Sequence, residues 1–122
     1  MNIIPAELNI TIEQGSSYAL ELIWKDENGV PRDLSDWSAQ LMARAKIKST
    51  TAFINLSSTS EQPALNGIIL GSDGAITVNM SKAAVNAISV FNGVYDLILT
   101  DSYGEATKLL RGLVSVKKRI TR

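Results

Sequence analysis

Two-residue alternation of apolar and polar side chains runs through most of this chain, and it constrains the fold more than any other feature. Successive side chains of a strand point to opposite faces, so a half-buried strand shows an apolar residue at every second position. Leu8, Ile10 and Ile12 alternate with Glu7, Asn9, Thr11 and Glu13. After a Gln14-Gly15-Ser16 turn, Tyr18, Leu20, Leu22 and Trp24 share the next face. Ala39, Leu41, Ala43, Ala45 and Ile47 make the apolar face of a long strand. Its Ala, Leu, Met, Arg and Lys also permit a helix, but the strict alternation argues for a strand. Residues 53–56, 68–70 and 75–80 follow, with Ile76, Val78 and Met80 inward. A last hairpin over 93–101 and 106–116 turns Tyr95, Leu97 and Leu99 inward.

Turn residues separate these runs. Asn28-Gly29 is a hairpin cue, since both residues accept positive φ. Gly71 to Gly74 and Asp101 to Gly104 close two further hairpins, and the Ser- and Thr-rich stretch 57–66 reads as a loop. Gly112, inside the last strand, marks a bulge or a point of close packing. Ser81 is placed to cap the one convincing helix, over 82–89, with Ala83, Ala84, Ala87 and Ile88 as its apolar face and one end of the fold to plug. Roughly seven to nine short strands spaced about 8 to 12 residues apart predict an all-β antiparallel sandwich, immunoglobulin-like or jelly-roll-like. The 122 residues fit a single domain, with arms at 1–6 and 117–122.

Composition narrows the chemistry. Twelve basic residues balance twelve acidic ones, so no net field favours nucleic acid or an anionic membrane. Cysteine and histidine are both absent, which removes thiolate chemistry, the usual zinc sites and the commonest general base. No enzyme, no cofactor, no metal and no small-molecule substrate are expected. The N-terminal residues carry no basic segment and no apolar run, so no signal peptide is read there, and synthesis in the cytoplasm is expected.

Each candidate site has a structural reading beside the functional one. Asp33 and Asp36 supply two carboxylates, too few for a calcium loop, and the stretch reads as a corner with side-chain-to-backbone turn bonds and Leu34 and Trp37 as anchors. Ser81 and Lys82 are adjacent on a helix and do not face each other, which rules out a dyad. Trp37 and Tyr103 are the aromatics placed to meet a partner. Ile3 and Ile4 at the start and the basic Lys117, Lys118, Arg119 and Arg122 at the end are the natural arms for reaching a neighbour.

The stretches "ITIEQGSSYALELIWKDENGVPRDLSDWSAQLMARAK" and "NGVYDLILTDSYGEATKLLRGLVSV" resemble small β-sandwich proteins of tailed bacteriophage particles, in particular the N-terminal domain of phage baseplate upper proteins. The matches fall at Gln14, Gly15, Gly29, Pro31, Asp33, Leu34, Trp37, Tyr95, Asp96, Leu97, Thr100 and Asp101. The resemblance implies a virion structural protein, made in the host cytoplasm, of the tail, baseplate, collar or capsid accessory kind. Its partners would be other particle proteins and its own copies. Unlike baseplate upper proteins, which continue into trimerising or receptor-binding segments, this sequence stops after the sandwich. A second expectation is a carbohydrate- or host-surface-binding module with an aromatic platform near Trp37 or Tyr103.

Overall fold

The computed structural model describes residues 6–25, 28–58 and 66–118. Nine strands and one helix occupy them: β1 (Ala6–Glu7), β2 (Ile10–Glu13), β3 (Tyr18–Ile23), β4 (Ser38–Arg44), β5 (Ile54–Ser57), β6 (Gly67–Leu70), β7 (Ala75–Met80), α1 (Lys82–Asn86), β8 (Asn92–Thr100) and β9 (Ala106–Lys117). One sheet runs β1-β9-β8-β4-β5, with β2 also on β9, and the other runs β3-β7-β6. The all-β sandwich predicted by alternation is what the chain forms. Most pairs are antiparallel, but β1 and β2 lie parallel to β9.

The inward faces are those the alternation marks. Ile10, Ile12, Leu41, Ala43, Leu56, Tyr95, Leu97, Leu99, Val114 and Val116 of the larger sheet are buried, as are Ile68, Ile76, Val78 and Met80 of the smaller. No polar or charged residue is buried among those described. Each Leu or Ile removed from water in this way contributes about 1.5–3 kcal/mol, which offsets the entropy of ordering the strands. Tyr18, Leu20 and Leu22 are only half-buried, because β3 is an edge strand.

Several local expectations are corrected. Asn28-Gly29 does not join two strands of one ladder. Gly29 does take a positive φ of 79°, but across this turn the described residues form a single Lys25–Pro31 bridge rather than a ladder. Beyond it the chain crosses to the other sheet, where β4 pairs with β5 and β8. The long strand ends at Arg44, and Ile47, expected on its inner face, is 84% exposed in a turn closed by Ser49, whose amide donates to the Lys46 carbonyl and whose hydroxyl accepts from the Lys46 amide. The last pair of β4 with β8 is Arg44–Val94, and at the next position Gly93 is closely packed, since a Cβ there would meet the Arg44 carbonyl and the Phe53 ring.

The helix is one turn shorter than predicted. Ser81 caps it, accepting from the Ala84 amide at 3.2 Å. Val85 and Ile88 are buried, whereas Ala83 and Ala87 are exposed, so the inward face is rotated from the expected one. The bulge of the last hairpin is not at Gly112. Register slips between Leu97–Leu110 and Ile98–Lys108, which leaves Leu109 as the extra residue. Gly112 is instead a close-packing point, because a Cβ there would run into the Leu8 carbonyl.

Candidate interaction surfaces

The corner at 28–37 is built from the backbone outward. Asp33 accepts the Ser35 amide at 2.9 Å, an Asx turn, and the bonds from Ser35 hold the Asp33 carboxyl below its ordinary value. Leu34 is fully buried, and its amide donates to the Gly71 carbonyl. Trp37 is half-buried and meets Trp24 edge-to-face at 5.3 Å. The Arg32 guanidinium lies 4.8 Å from the Trp24 ring centre and 6.0 Å from that of Trp37. Such cation–π contacts stabilise by about 0.5–2 kcal/mol. Gly74 makes the close approach possible, since a Cβ on it would meet the Trp24 carbonyl at 2.6 Å. Asp33 and Asp36 do not converge on a site, and among the described residues no group of three or more His, Cys, Asp or Glu could hold a metal.

Tyr103 is held outward at the tip of the β8–β9 turn, 92% exposed. Asp101 fixes that turn by accepting the Tyr103 and Glu105 amides at 2.9 and 3.0 Å, and Gly104 supplies the positive φ of 87°. Ser38 pairs with Thr100, so Trp37 and Tyr103 share one end of the sheet, one turned inward and one outward. Lys117 and Lys118 lie at the opposite end. Lys117 is exposed beside Glu13, and the Lys118 ammonium sits 5.1 Å from the Phe91 ring centre. The structure therefore separates the candidate contacts into two ends. Ile3, Ile4, Arg119 and Arg122 lie outside the described residues.

The Gln14-Gly15 pair has a clear structural task. The Gln14 amide donates to the carbonyls of Val85 at 3.3 Å and Ile88 at 2.9 Å. Gly15, at φ 98°, donates its own amide to the Asn86 side chain at 2.8 Å. Together they latch the C-terminal end of α1 to the end of β2. Tyr95 forms a comparable tie: its ring is buried and its hydroxyl donates to the Leu8 carbonyl at 2.5 Å. Burial first, and the neighbouring Tyr18 second, push the Tyr95 phenol up to about 12.

One surface was not singled out by sequence reasoning. On the outer face of the larger sheet, β4, β8, β9 and β1 bring side chains into transverse rows. Arg44, Val94 and Leu113 form one row, with Asn9 accepting the Leu113 amide at 3.0 Å. Met42, Asp96, Arg111 and Glu7 form the next. Gln40, Ile98 and Lys108 form a third. Leu113 is 57% exposed, and a shallow groove of about 510 Å³ runs between it, Met42, Val94 and the exposed Ile47. Lys108 bridges to Asp96 at 3.4 Å and Arg111 to Glu7 at 3.5 Å. Arg44 has no carboxylate partner among the described residues, and its buried Nε has no hydrogen-bond partner.

The arrangement of β1 and β2 on β9, then β8, β4 and β5, facing β3-β7-β6, is that of an immunoglobulin-like sandwich. No protein-family model matches the sequence, and no curated protein matches it. Among solved structures, the chain is similar to the extracellular domain of the voltage-gated sodium channel beta4 subunit, with a TM-score of 0.51, 13% identity and 98% of both chains covered. That domain is described as forming parallel homodimers that explain its role in cell–cell adhesion. At such an identity the likeness shows the fold alone.

Proposed function

We propose that this chain is a structural protein of tailed-phage particles, a tail, baseplate, collar or capsid accessory subunit that works by protein–protein assembly and turns over no substrate. The observation that carries the reading is where the residues shared with phage sandwich modules lie. Gln14 and Gly15 latch the helix, Gly29, Asp33, Leu34 and Trp37 build the corner, Tyr95 ties in the first strands, and Asp101 sets the last turn. Of the remaining matches, Leu97 is in the core and Thr100 pairs with Ser38, while Pro31 and Asp96 lie at the surface, so most of the resemblance falls on the joints of one sandwich. The exposed chemistry is also that of a docking module: a rigid turn tip and a sheet face with solvent-facing apolar side chains. Its partners are copies of itself and neighbouring particle proteins, and its location is the virion. Self-association is further supported by the homodimers of the sodium-channel domain of similar fold.

Mass spectrometry of density-banded particles from the source culture, with immunogold labelling by an antibody to this chain, tests the proposal. Several copies per particle at one defined location are expected. Expression of the chain with no copy in the particles overturns it. The outward Tyr103 favours a second reading, a carbohydrate- or host-surface-binding module. A glycan array on which binding is lost with Tyr103→Ala would select it.

A further inference from the structure

We propose that the outer face of the larger sheet is a self-association surface, on which two copies pack face to face about a two-fold axis parallel to the strands and passing between β8 and β9. The inference rests on the assembly role above and names the surface that performs it. Its basis is the charge pattern of the transverse rows. An axis along the strands keeps every row level and exchanges β8 with β9 and β4 with β1 and β2. Asp96 then lies over the partner's Arg111, and Arg111 over the partner's Asp96. Val94 lies over the partner's Leu113, while Met42 falls over the partner's Glu7 and Ile98 over the partner's Lys108. At the rim, Arg44, which has no carboxylate partner among the described residues, comes within one row of the partner's Glu7, which bridges to Arg111 of its own chain at 3.5 Å.

The alternative axis, across the strands, gives the opposite result. It lays β8 on the partner's β8 and sets Asp96 either against the partner's Asp96 or against the partner's Val94 or Ile98. The first opposes like charges and the second buries a carboxylate against an apolar side chain, and both are unfavourable. The central Val94, Asp96, Arg111 and Leu113 therefore complement themselves about the axis along the strands. Sheet twist displaces the rows least near the axis, where Val94, Asp96, Arg111 and Leu113 lie.

The footprint is modest. Four strands at about 4.8 Å spacing make it roughly 19 Å wide, which places the contact at the low end of specific interfaces. A dissociation constant in the micromolar range is expected, with many copies on one particle supplying the effective concentration that a lone pair lacks.

Analytical ultracentrifugation of the full chain and of two charge reversals tests the proposal, with circular dichroism to establish that each variant is folded. The native chain should dimerise at concentrations up to about 1 mM. Asp96→Arg places cations at both paired positions and Arg111→Asp places anions at both, so each alone should lose at least tenfold in self-affinity. An equimolar mixture of the two should form a heterodimer, because every cation then faces an anion. Restored association on mixing is a readout that damage to either fold cannot produce. A native chain that stays monomeric overturns the proposal, as do reversals that leave the dimer unchanged or a mixture that fails to associate. A monomer that is nonetheless present in particles would overturn this surface alone. A dimer absent from particles would overturn the virion role and leave the surface standing.

Discussion

Gly112 shows how much one missing side chain permits. It lies on β9 where the Leu8 carbonyl leaves the ladder and turns inward, and that carbonyl occupies the space of a Cβ. Gly112→Ala should therefore destabilise the fold by about 1–3 kcal/mol, the usual range for overpacking against backbone, read as a lower urea midpoint. The same carbonyl receives the Tyr95 hydroxyl. Tyr95→Phe keeps the ring and leaves the buried oxygen without its donor, at a cost of about 1–2 kcal/mol. Tyr95 also sets a pH dependence. Its folded value of about 12 lies above the ordinary 10, so on raising the pH the unfolded chain loses this proton first. Stability from this group is complete below about pH 10 and is lost as pH climbs toward 12, and Tyr95→Phe should flatten urea midpoints measured across that window. Alternation made the inward ring of Tyr95 legible in the sequence. Its partner was not, because Leu8 is 87 residues away and no local pattern links the two.

Among the elements, faces were easier to read than partners. The period of two depends only on a strand's own residues, and it marked Ile76, Val78 and Met80 or Leu97 and Leu99 as inward without knowledge of any neighbour. Which strands pair depends on groups distant in sequence. Asn28-Gly29 signals a hairpin, yet Trp24 donates to Gly74 and Arg32 to Trp24, so β7 rather than β4 claims the end of β3. The alternation past Arg44 continues to Ile47, but the ladder with β8 stops at Arg44–Val94 and the chain turns at Lys46–Ser49. The helix owes its position in part to a turn residue just beyond β2, since Gln14 satisfies carbonyls at its C-terminal end. Gln14→Ala should cost about 1–2 kcal/mol and raise amide exchange across residues 82–88 more than in β8, which hydrogen-exchange mass spectrometry would resolve.

At the scale of the whole molecule, the corner was legible because its chemistry is local, whereas the outer face was not. Met42, Val94 and Leu113 each sit among polar residues in their own strands and read as ordinary solvent positions. Only the lateral order β4-β8-β9 makes them neighbours. Because opposed charges flank that apolar strip, self-association should weaken as salt rises from about 0.05 to 0.5 M, and sedimentation at several ionic strengths would register the shift. The parallel alignment of β1 and β2 with β9 has a mechanical consequence. Tension applied between residue 6 and residue 118 pulls β1 and β2 past the adjacent β9 along their length. The two pairs of β1 and the four of β2 are then loaded together in shear, rather than peeled apart one after another. A sandwich so connected takes end-to-end tension on the hydrogen bonds of both parallel pairs at once.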